Sequence, residues 1–148
     1  MIWKPHVTVA VVVERQGRFL LVEEQTEDGI RINQPAGHLE ADESIVEGAV
    51  REALEETAHE VVPEALVGIY RWAKPDTDVV YLRFAFAARS IAHHPDRPLD
   101  RGILRAILRT PDELRAEHAR HRSPLVMQCV EDHLAGRRYP LDLLVHHA

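Results

Sequence analysis

The N-terminal part of the chain contains two apolar runs that predict β-strands. The first is the β-branched run Val7–Val13 and the second is Phe19–Val22, with the glycine-containing connection Glu14–Gly17 between them. Two such runs around a glycine are typical of a β-hairpin. A short strand is also expected at Ile30–Asn33, because the breaker-rich stretch Gln34–Gly37 follows it.

A helix is predicted next. Ser44 is followed three residues later by Glu47, and this is the form of a capping box that opens a helix. Val61, Val62 and Pro63 lie beyond the end of this helix. Within it, apolar residues recur at helical spacing and predict a buried face. These residues are Ile45, Val46, Ala49, Val50, Ala53 and Leu54.

The second half of the chain predicts more strands and then helices. Ala65–Trp72 and Val79–Ala88 have the composition of two longer strands, and Ile103–Leu108 is a weaker candidate. Thr110–Glu113 has the capping chemistry of a short helix, and Ser123-Pro124 opens another that runs to about Ala135. The chain is therefore predicted to be an α+β protein.

Composition narrows the class of protein. The 148 residues are 45% apolar and 28% charged, which suits one compact soluble domain. The formal net charge of −6 argues against binding a nucleic-acid polymer. Cys129 is the only cysteine, so an internal disulfide and a cysteine-based zinc cluster are excluded. The apolar run near the start is too short to span a membrane and lacks the layout of a signal peptide. We expect a cytoplasmic protein that does not engage membranes.

The acidic segment REALEE at residues 51–56 carries the candidate chemistry. On a helix, Glu52, Glu55 and Glu56 share one side, and like charges at this spacing destabilise a helix by a few tenths of a kcal/mol per pair. A solvated acidic face is the alternative interpretation of these six residues alone. A magnesium ion would remove the repulsion, because it is commonly held by a few carboxylates together with substrate phosphates.

The wider segment Gly37–His59 reads GHLEADESIVEGAVREALEETAH. It resembles the Nudix box, G-x5-E-x7-R-E-U-x-E-E-x-G-U, in which U is a bulky aliphatic residue. Six positions at fixed spacing are in register, which makes the signal strong. They are Gly37, Glu43, Arg51, Glu52, Glu55 and Glu56.

Three positions depart from the pattern. Ala53 stands where an aliphatic residue is expected, and Ala58 and His59 replace the late glycine and the last aliphatic residue. That glycine would be a left-handed helix cap, where another residue costs roughly 1 kcal/mol. We therefore expect the helix to run on or to end differently here.

The resemblance extends over nearly the whole chain. Segments 4–10, 33–43, 82–87, 122–126 and 137–140 are similar to those of a bacterial phosphatase of the Nudix family. The resemblance implies one Nudix domain over residues 1–148, folded as an α/β/α sandwich around a mixed β-sheet. It implies a magnesium-dependent hydrolase, with Mn²⁺ as a possible substitute, that cleaves phosphoanhydrides.

The implied substrates are small phosphorylated molecules. They are nucleoside tri- and diphosphates and thiamine-type pyrophosphates, including hydroxymethylpyrimidine diphosphate, with orthophosphate as a product. The alternatives are an ADP-ribose or nucleotide-sugar pyrophosphatase and a non-catalytic Nudix domain that senses a nucleotide. The protein is expected to be a monomer or a homodimer.

The family also implies roles for the box residues. Glu52 and Glu56 are the expected main metal ligands, Glu55 a further ligand or a water-orienting base, and the Gly37 carbonyl an additional ligand. Arg51, paired with Glu43 or Glu47, is expected to hold the glutamates in place. Gly48, one turn before Glu52, is expected to leave room for metal or phosphate.

Substrate-binding residues outside these positions are predicted by residue type. Arg31, Arg71 and Arg83 are candidates for contacting phosphate, and His38 either contacts substrate or packs in its loop. Trp3 and Trp72 either stack on a flat ring or pack in the core. Asp100 is a candidate for a catalytic base outside the box.

Overall fold

The computed structural model describes residues Met1–Ala148 as eight strands, three α-helices and two short 3-10 helices. The strands are β1 (His6–Val12), β2 (Glu14–Arg15), β3 (Arg18–Thr26), β4 (Gly29–Asn33), β5 (Ala36–His38), β6 (His59–Ala73), β7 (Val80–His93) and β8 (Ile103–Arg109). The α-helices are α1 (Ile45–Thr57), α2 (Pro111–Ala116) and α3 (Leu125–Leu134), and the 3-10 helices are His118–Arg120 and Leu141–Leu143.

The strands form two sheets. The first has the order β5-β1-β7-β6, in which β1 and β7 are parallel and the other neighbours are antiparallel. In the second sheet, β3 pairs with β2, β4 and β8, all antiparallel. The first sheet is therefore mixed, as the resemblance implies.

Helices cover both faces of the first sheet. Val9 and Val11 on β1 pack in one apolar cluster with Ala49 and Ala53 of α1. The alternate residues of β1 belong to a second cluster, which includes Val126 of α3. A strand buried on both faces reads as a continuous apolar run, which explains the unbroken valines of β1. The α/β/α sandwich expected from the family resemblance is confirmed.

The hairpin prediction is only partly correct. The turn at Gln16-Gly17 does connect antiparallel strands, but it joins only the two-residue β2 to β3. The preceding run, β1, pairs along its length with β7 instead. The physical reason is burial: β1 has apolar residues on both faces, and only a central position in the first sheet covers both.

Two other strand assignments change. β6 starts at His59, directly after the box helix, and runs through Pro63, where its pairing with β7 shifts register. Proline is tolerated in a strand at such an irregularity, because it cannot donate a hydrogen bond to the ladder. The stretch predicted only to break β4 forms β5, which pairs with β1.

The predicted helices are confirmed. The Ser44 hydroxyl accepts a hydrogen bond from the Glu47 amide (3.1 Å), and the Glu47 carboxylate accepts one from the Ser44 amide (2.9 Å). Thr110 and Glu113 make the same reciprocal cap on α2. No helix is long and apolar enough to cross a membrane.

The exit of α1 differs from the expectation. Although Ala58 replaces the glycine of the pattern, the helix neither runs on nor ends elsewhere. Ala58 adopts the left-handed conformation (φ 60°, ψ 20°), and its amide donates to the Leu54 carbonyl. The chain then continues directly into β6. Alanine in place of the glycine of the pattern thus keeps the geometry of the cap but adds backbone strain to it.

Candidate active site

Helix α1 brings two glutamates against strand β5. Ala49 and Ala53 bury one side of the helix in the core, and Glu52 and Glu56, one turn apart, are buried beside them. The Glu56 carboxylate accepts a hydrogen bond from the amide of Ala36 (2.9 Å). The helix spacing thus places both carboxylates at the loop that opens the Nudix-like segment.

Gly37 is required by the position of Glu52. A Cβ atom on Gly37 would lie 2.2 Å from the carboxylate carbon of Glu52, far closer than atoms approach. A side chain there would displace the carboxylate. The first glycine of the motif is therefore explained by a close approach to the glutamate fifteen residues later.

Arg51 links the acidic residues of the motif. Its guanidinium donates to both carboxylate oxygens of Glu43 (2.7 and 2.8 Å), to Glu52 (2.8 Å) and to Glu55 (3.2 Å). It also donates to the carbonyl of His38 (3.0 Å). A bidentate pair of this kind fixes geometry as well as charge. Hydrogen bonds from Arg51 lower the pKa of Glu43.

Gly48 has a different role from the one predicted. A Cβ atom there would meet Glu43 at 2.9 Å and Leu39 at 3.0 Å. The space beside Gly48 is therefore occupied by the carboxylate that pairs with Arg51. The prediction that it leaves room for metal or phosphate is wrong.

Burial disfavours the charged forms of the Glu52 and Glu56 carboxylates. Burial raises the pKa of Glu56 to about 8, and Glu52, Glu24 and Asp100 raise it further against the hydrogen bond from Ala36. Burial also raises the pKa of Glu52; Arg51 opposes that shift, while Glu55 and Asp100 add to it. A nearby cation would favour the charged form of both groups.

The donor chemistry fits a divalent cation. The cluster offers hard carboxylate oxygens, which magnesium and manganese accept. As arranged, no group of three or more His, Cys, Asp or Glu side chains is placed to hold a metal ion by itself. Glu52 is hydrogen-bonded to Arg51, and Glu56 to the Ala36 amide. The predicted ligand set therefore stays a prediction.

A cavity of about 330 Å³, which we call the catalytic cavity, opens beside these carboxylates. Gly37, Glu52 and Glu56 line it, whereas Glu55 does not. The carboxylates of Glu24 and Asp100 add to its acidic part. Its basic lining residues are Arg31, Lys74, Arg83 and Arg122. One pocket therefore combines groups that suit a cation with groups that suit a phosphate.

Arg83 is the most constrained of these basic residues. Only 6% of it is exposed, and its guanidinium donates to the side-chain oxygens of Gln34 (2.8 Å) and Asn33 (2.9 Å). It has no carboxylate partner. A buried charge without a counter-charge is costly unless a ligand supplies one. A phosphate group in the cavity would supply it.

An aromatic pair forms another part of the cavity. The rings of Trp72 and Tyr81 are stacked, with centroids 5.9 Å apart and planes 16° apart, and both residues line the cavity. His38 also lines it and packs edge-on against His6. Trp3 lies outside the lining and is 60% exposed. Of the proposed ring-stacking residues, the structure thus places only Trp72 at the site.

Several lining residues were not predicted. Glu24 on β3 is one of them, and its Oε1 atom lies 2.7 Å from the guanidinium of Arg122. Tyr81, Asn33 and Ser123 are others. No alternating pattern marks Glu24, because β3 is buried without interruption from Phe19 to Glu23 and Glu24 follows that run. Arg122 is placed by long-range contacts, such as the hydrogen bond that its backbone amide donates to the carbonyl of Ile32 (2.8 Å). No local pattern reveals such contacts.

The fold and the site define a class of protein. The family model described as the NUDIX domain matches residues 4–129. The chain belongs to the Nudix hydrolase family, whose members hydrolyse anhydrides in phosphorus-containing compounds and generally use divalent metal ions.

Individual relatives agree with this assignment. Phosphatase NudJ of Escherichia coli K12 is 41% identical over 142 residues, which cover 96% of this chain and 92% of that protein. A solved Nudix hydrolase from Nitrosomonas europaea is 52% identical, with a TM-score of 0.95, and the match covers 97% of this chain and 98% of that one. An ADP-ribose pyrophosphatase from Streptococcus suis shares the fold at 19% identity and a TM-score of 0.65, over 90% of this chain and 93% of that one.

Proposed function

We propose that this protein is a magnesium-dependent phosphatase that removes orthophosphate from small phosphoanhydrides. The substrates proposed are nucleoside tri- and diphosphates and thiamine-type pyrophosphates such as hydroxymethylpyrimidine diphosphate. The observation that carries the proposal is the catalytic cavity itself. It places the buried carboxylates of Glu52 and Glu56 and the buried, carboxylate-free guanidinium of Arg83 in one pocket.

The box residues would hold the metal. Glu52 and Glu56 supply the main ligand oxygens, with Glu55 and the Gly37 carbonyl as the remaining candidates. When bound, a divalent ion neutralises phosphate charge and lowers the pKa of a water molecule. Arg51 and Glu43 keep the carboxylates oriented, and this positioning task is supported by the five hydrogen bonds that Arg51 donates to glutamates.

The remaining cavity residues would bind the substrate. Arg83, Arg31 and Lys74 offer positive charge to the phosphates, and Trp72 offers a face to a nucleobase or pyrimidine ring. In the reaction, a water oxygen bonds to phosphorus while the anhydride P–O bond breaks. The leaving oxygen keeps the bonding electrons, and the water protons pass to solvent or to a carboxylate that lines the cavity.

The proposal extends to the organisation of the protein. Residues 1–148 form one hydrolase domain, monomeric or homodimeric, that works in the cytoplasm on small molecules. The net charge of −6 supports small-molecule substrates, because proteins that bind nucleic-acid polymers usually have a basic face. The lone cysteine, Cys129, supports a reducing compartment.

A substrate panel tests the proposal. Nucleoside tri- and diphosphates, thiamine diphosphate, hydroxymethylpyrimidine diphosphate and ADP-ribose are incubated with the protein in Mg²⁺, in Mn²⁺ and in EDTA. Orthophosphate and pyrophosphate release are measured separately. We expect orthophosphate release with Mg²⁺ and none in EDTA. Turnover of ADP-ribose alone would favour a pyrophosphatase, and no turnover of any compound would favour a nucleotide sensor.

A further inference from the structure

A second cavity, which we call the basic groove, lies at the C-terminal end of α1. Its volume is about 600 Å³, within the range of small-molecule sites. It is lined by the turn between β2 and β3, the start of β6, the end of β7 and the strand β8. No residue lines both this groove and the catalytic cavity.

The charge of the groove has one sign. Arg15, Arg18, Arg97 and Arg105 line it, and no aspartate or glutamate does. Arg105 pairs with Glu23, whereas the other three guanidinium groups have no carboxylate within salt-bridge distance. The chain as a whole carries a formal charge of −6, so this local positive charge is not a result of composition. Clefts lined by one sign of charge attract ligands of the opposite sign.

Two stacked imidazoles form part of the wall. The rings of His59 and His93 have centroids 4.1 Å apart and planes 11° apart. The Nδ1 atom of His59 lies 2.7 Å from the hydroxyl of Ser90, which fixes the ring. Burial lowers the pKa of His59 to about 4, and the charges of His93 and Arg15 lower it further. The His59 ring is therefore neutral at physiological pH, and the pair presents a flat surface of the kind on which nucleobases stack.

The floor of the groove is apolar. Val13 and Leu20 are buried lining residues from one apolar cluster, and Leu104 and Leu108 are partly exposed lining residues on β8. Apolar walls with a few placed polar groups are typical of sites for small organic molecules. A lone inorganic anion would leave this apolar area uncovered.

The groove contains two of the three positions at which this chain departs from the Nudix box. Ala58 and His59 both line it. The left-handed turn at Ala58 directs the chain into β6, and the His59 ring then stacks on His93 of the paired strand. An aliphatic residue at position 59, as the box pattern has, would remove the imidazole stack.

We propose that the basic groove is a second ligand site that binds a nucleoside phosphate. In this arrangement Arg15, Arg18 and Arg97 hold the phosphates, and the base stacks on the His59–His93 pair above the apolar floor. The site is separate from the catalytic cavity, so its existence does not depend on which compound the enzyme hydrolyses.

ADP binding in EDTA tests this proposal. EDTA removes the divalent ion that would hold phosphates in the catalytic cavity, and the positions of the amide shifts distinguish binding in the groove from binding near Arg83. The affinity is measured by calorimetry at low salt, and amide shifts locate the ligand. We expect shifts at residues 15–20 and 104–108, and at least tenfold weaker binding for the double variant Arg18→Glu/Arg97→Glu.

Arg89→Glu is the matched control. Arg89 precedes Ser90 on β7, is exposed, and lies outside the lining, so this variant reverses one charge beside the groove where the double variant reverses two that line it. We expect its affinity for ADP to stay within twofold of wild type, and melting curves verify that all variants fold.

Four results would overturn the proposal. They are no binding in EDTA, shifts confined to the catalytic cavity, an equal loss of affinity in Arg89→Glu, and inorganic pyrophosphate binding as tightly as ADP. The last result would show that the base adds nothing, and a base-stacking wall would then have no function in the groove.

Discussion

The two cavities around helix α1 use charge in opposite ways. In the catalytic cavity acids and bases occur together, and the adjoining Arg51 is hydrogen-bonded to Glu43, Glu52 and Glu55. In the basic groove, three of four arginines have no ionic partner and no carboxylate is present. The first arrangement fixes side chains for chemistry, and the second leaves charge available to a ligand.

The difference follows from burial. Carboxylates that are taken out of water need partners. Arg51 provides them for Glu43, Glu52 and Glu55, and the Ala36 amide provides one for Glu56. The arginines of the groove are solvated at its rim, so their charges can stay unpaired at little cost. Each prediction below changes one side of this comparison and leaves the other intact.

Glu56→Gln should have the largest effect. It removes a charge from the acidic wall of the catalytic cavity while keeping the shape and the bond from the Ala36 amide. We expect metal-dependent hydrolysis to fall by about 10²–10⁴-fold, because the cation loses a ligand. Phosphate release and a melting curve are measured together, with Glu64→Gln on the exposed part of β6 as the control. Unchanged turnover with a folded protein would remove Glu56 from the mechanism.

Arg83→Gln tests the basic residues of the same cavity. Loss of a charged hydrogen bond to phosphate should raise KM by about 10–100-fold, corresponding to roughly 1.5–3 kcal/mol. Arg83→Lys, which keeps the charge, should recover part of the affinity. Arg71, the other predicted phosphate contact, does not line the cavity, so Arg71→Gln, an exposed change on β6, should leave KM unchanged. Equal KM values for Arg83→Gln and wild type would show that no phosphate reaches Arg83.

Ala58→Gly acts at the junction between the box helix and the basic groove. Glycine removes the strain of a left-handed alanine, about 1–2 kcal/mol, but loses part of this gain through the greater freedom of the unfolded chain. We expect a net stabilisation of about 0.5–1 kcal/mol, measured by denaturant unfolding. Ala135→Gly, at a cap with φ −73°, should destabilise instead. Destabilisation by both changes would mean that Ala58 is unstrained.

The last prediction concerns a pH dependence of stability that originates at His59. Its pKa is lowered to about 4 in the folded protein by burial, and the unfolded chain has the ordinary value near 6.5. The unfolded state therefore binds more protons between these values, so this contribution to stability is complete above pH 6.5 and is lost as the pH falls towards 4. His59→Gln should flatten the dependence of unfolding free energy on pH in this window. An unchanged slope would contradict the assignment.

The sequence predicted elements with strong local signals. Ser44 and Thr110 carry reciprocal capping chemistry, so the starts of α1 and α2 could be read directly. The register of the box glutamates follows from helix periodicity, and their approach to Gly37 is consistent with the motif spacing. The caps and the register of the glutamates depend on residues a few positions apart, where local geometry dominates.

Long-range features could not be read in the same way. The hairpin prediction was wrong for β1 because the pattern cannot show that the strand pairs with β7, more than seventy residues away. Glu24 and Arg122 reach the catalytic cavity through sheet pairing and loop packing. The basic groove combines residues from the turn before β3, the start of β6 and the loop after β7. No single segment of the sequence therefore predicts it.

Direct measurement of divalent-ion binding tests the central claim, that the buried glutamates of the catalytic cavity form the metal site. Mn²⁺ is titrated into the protein without substrate and followed by electron paramagnetic resonance, with Mg²⁺ as competitor. We predict that wild type binds Mn²⁺, that Mg²⁺ displaces it, and that Glu52→Gln/Glu56→Gln weakens binding at least tenfold while the fold is kept. Mn²⁺ affinity unchanged in the folded double variant would contradict the account.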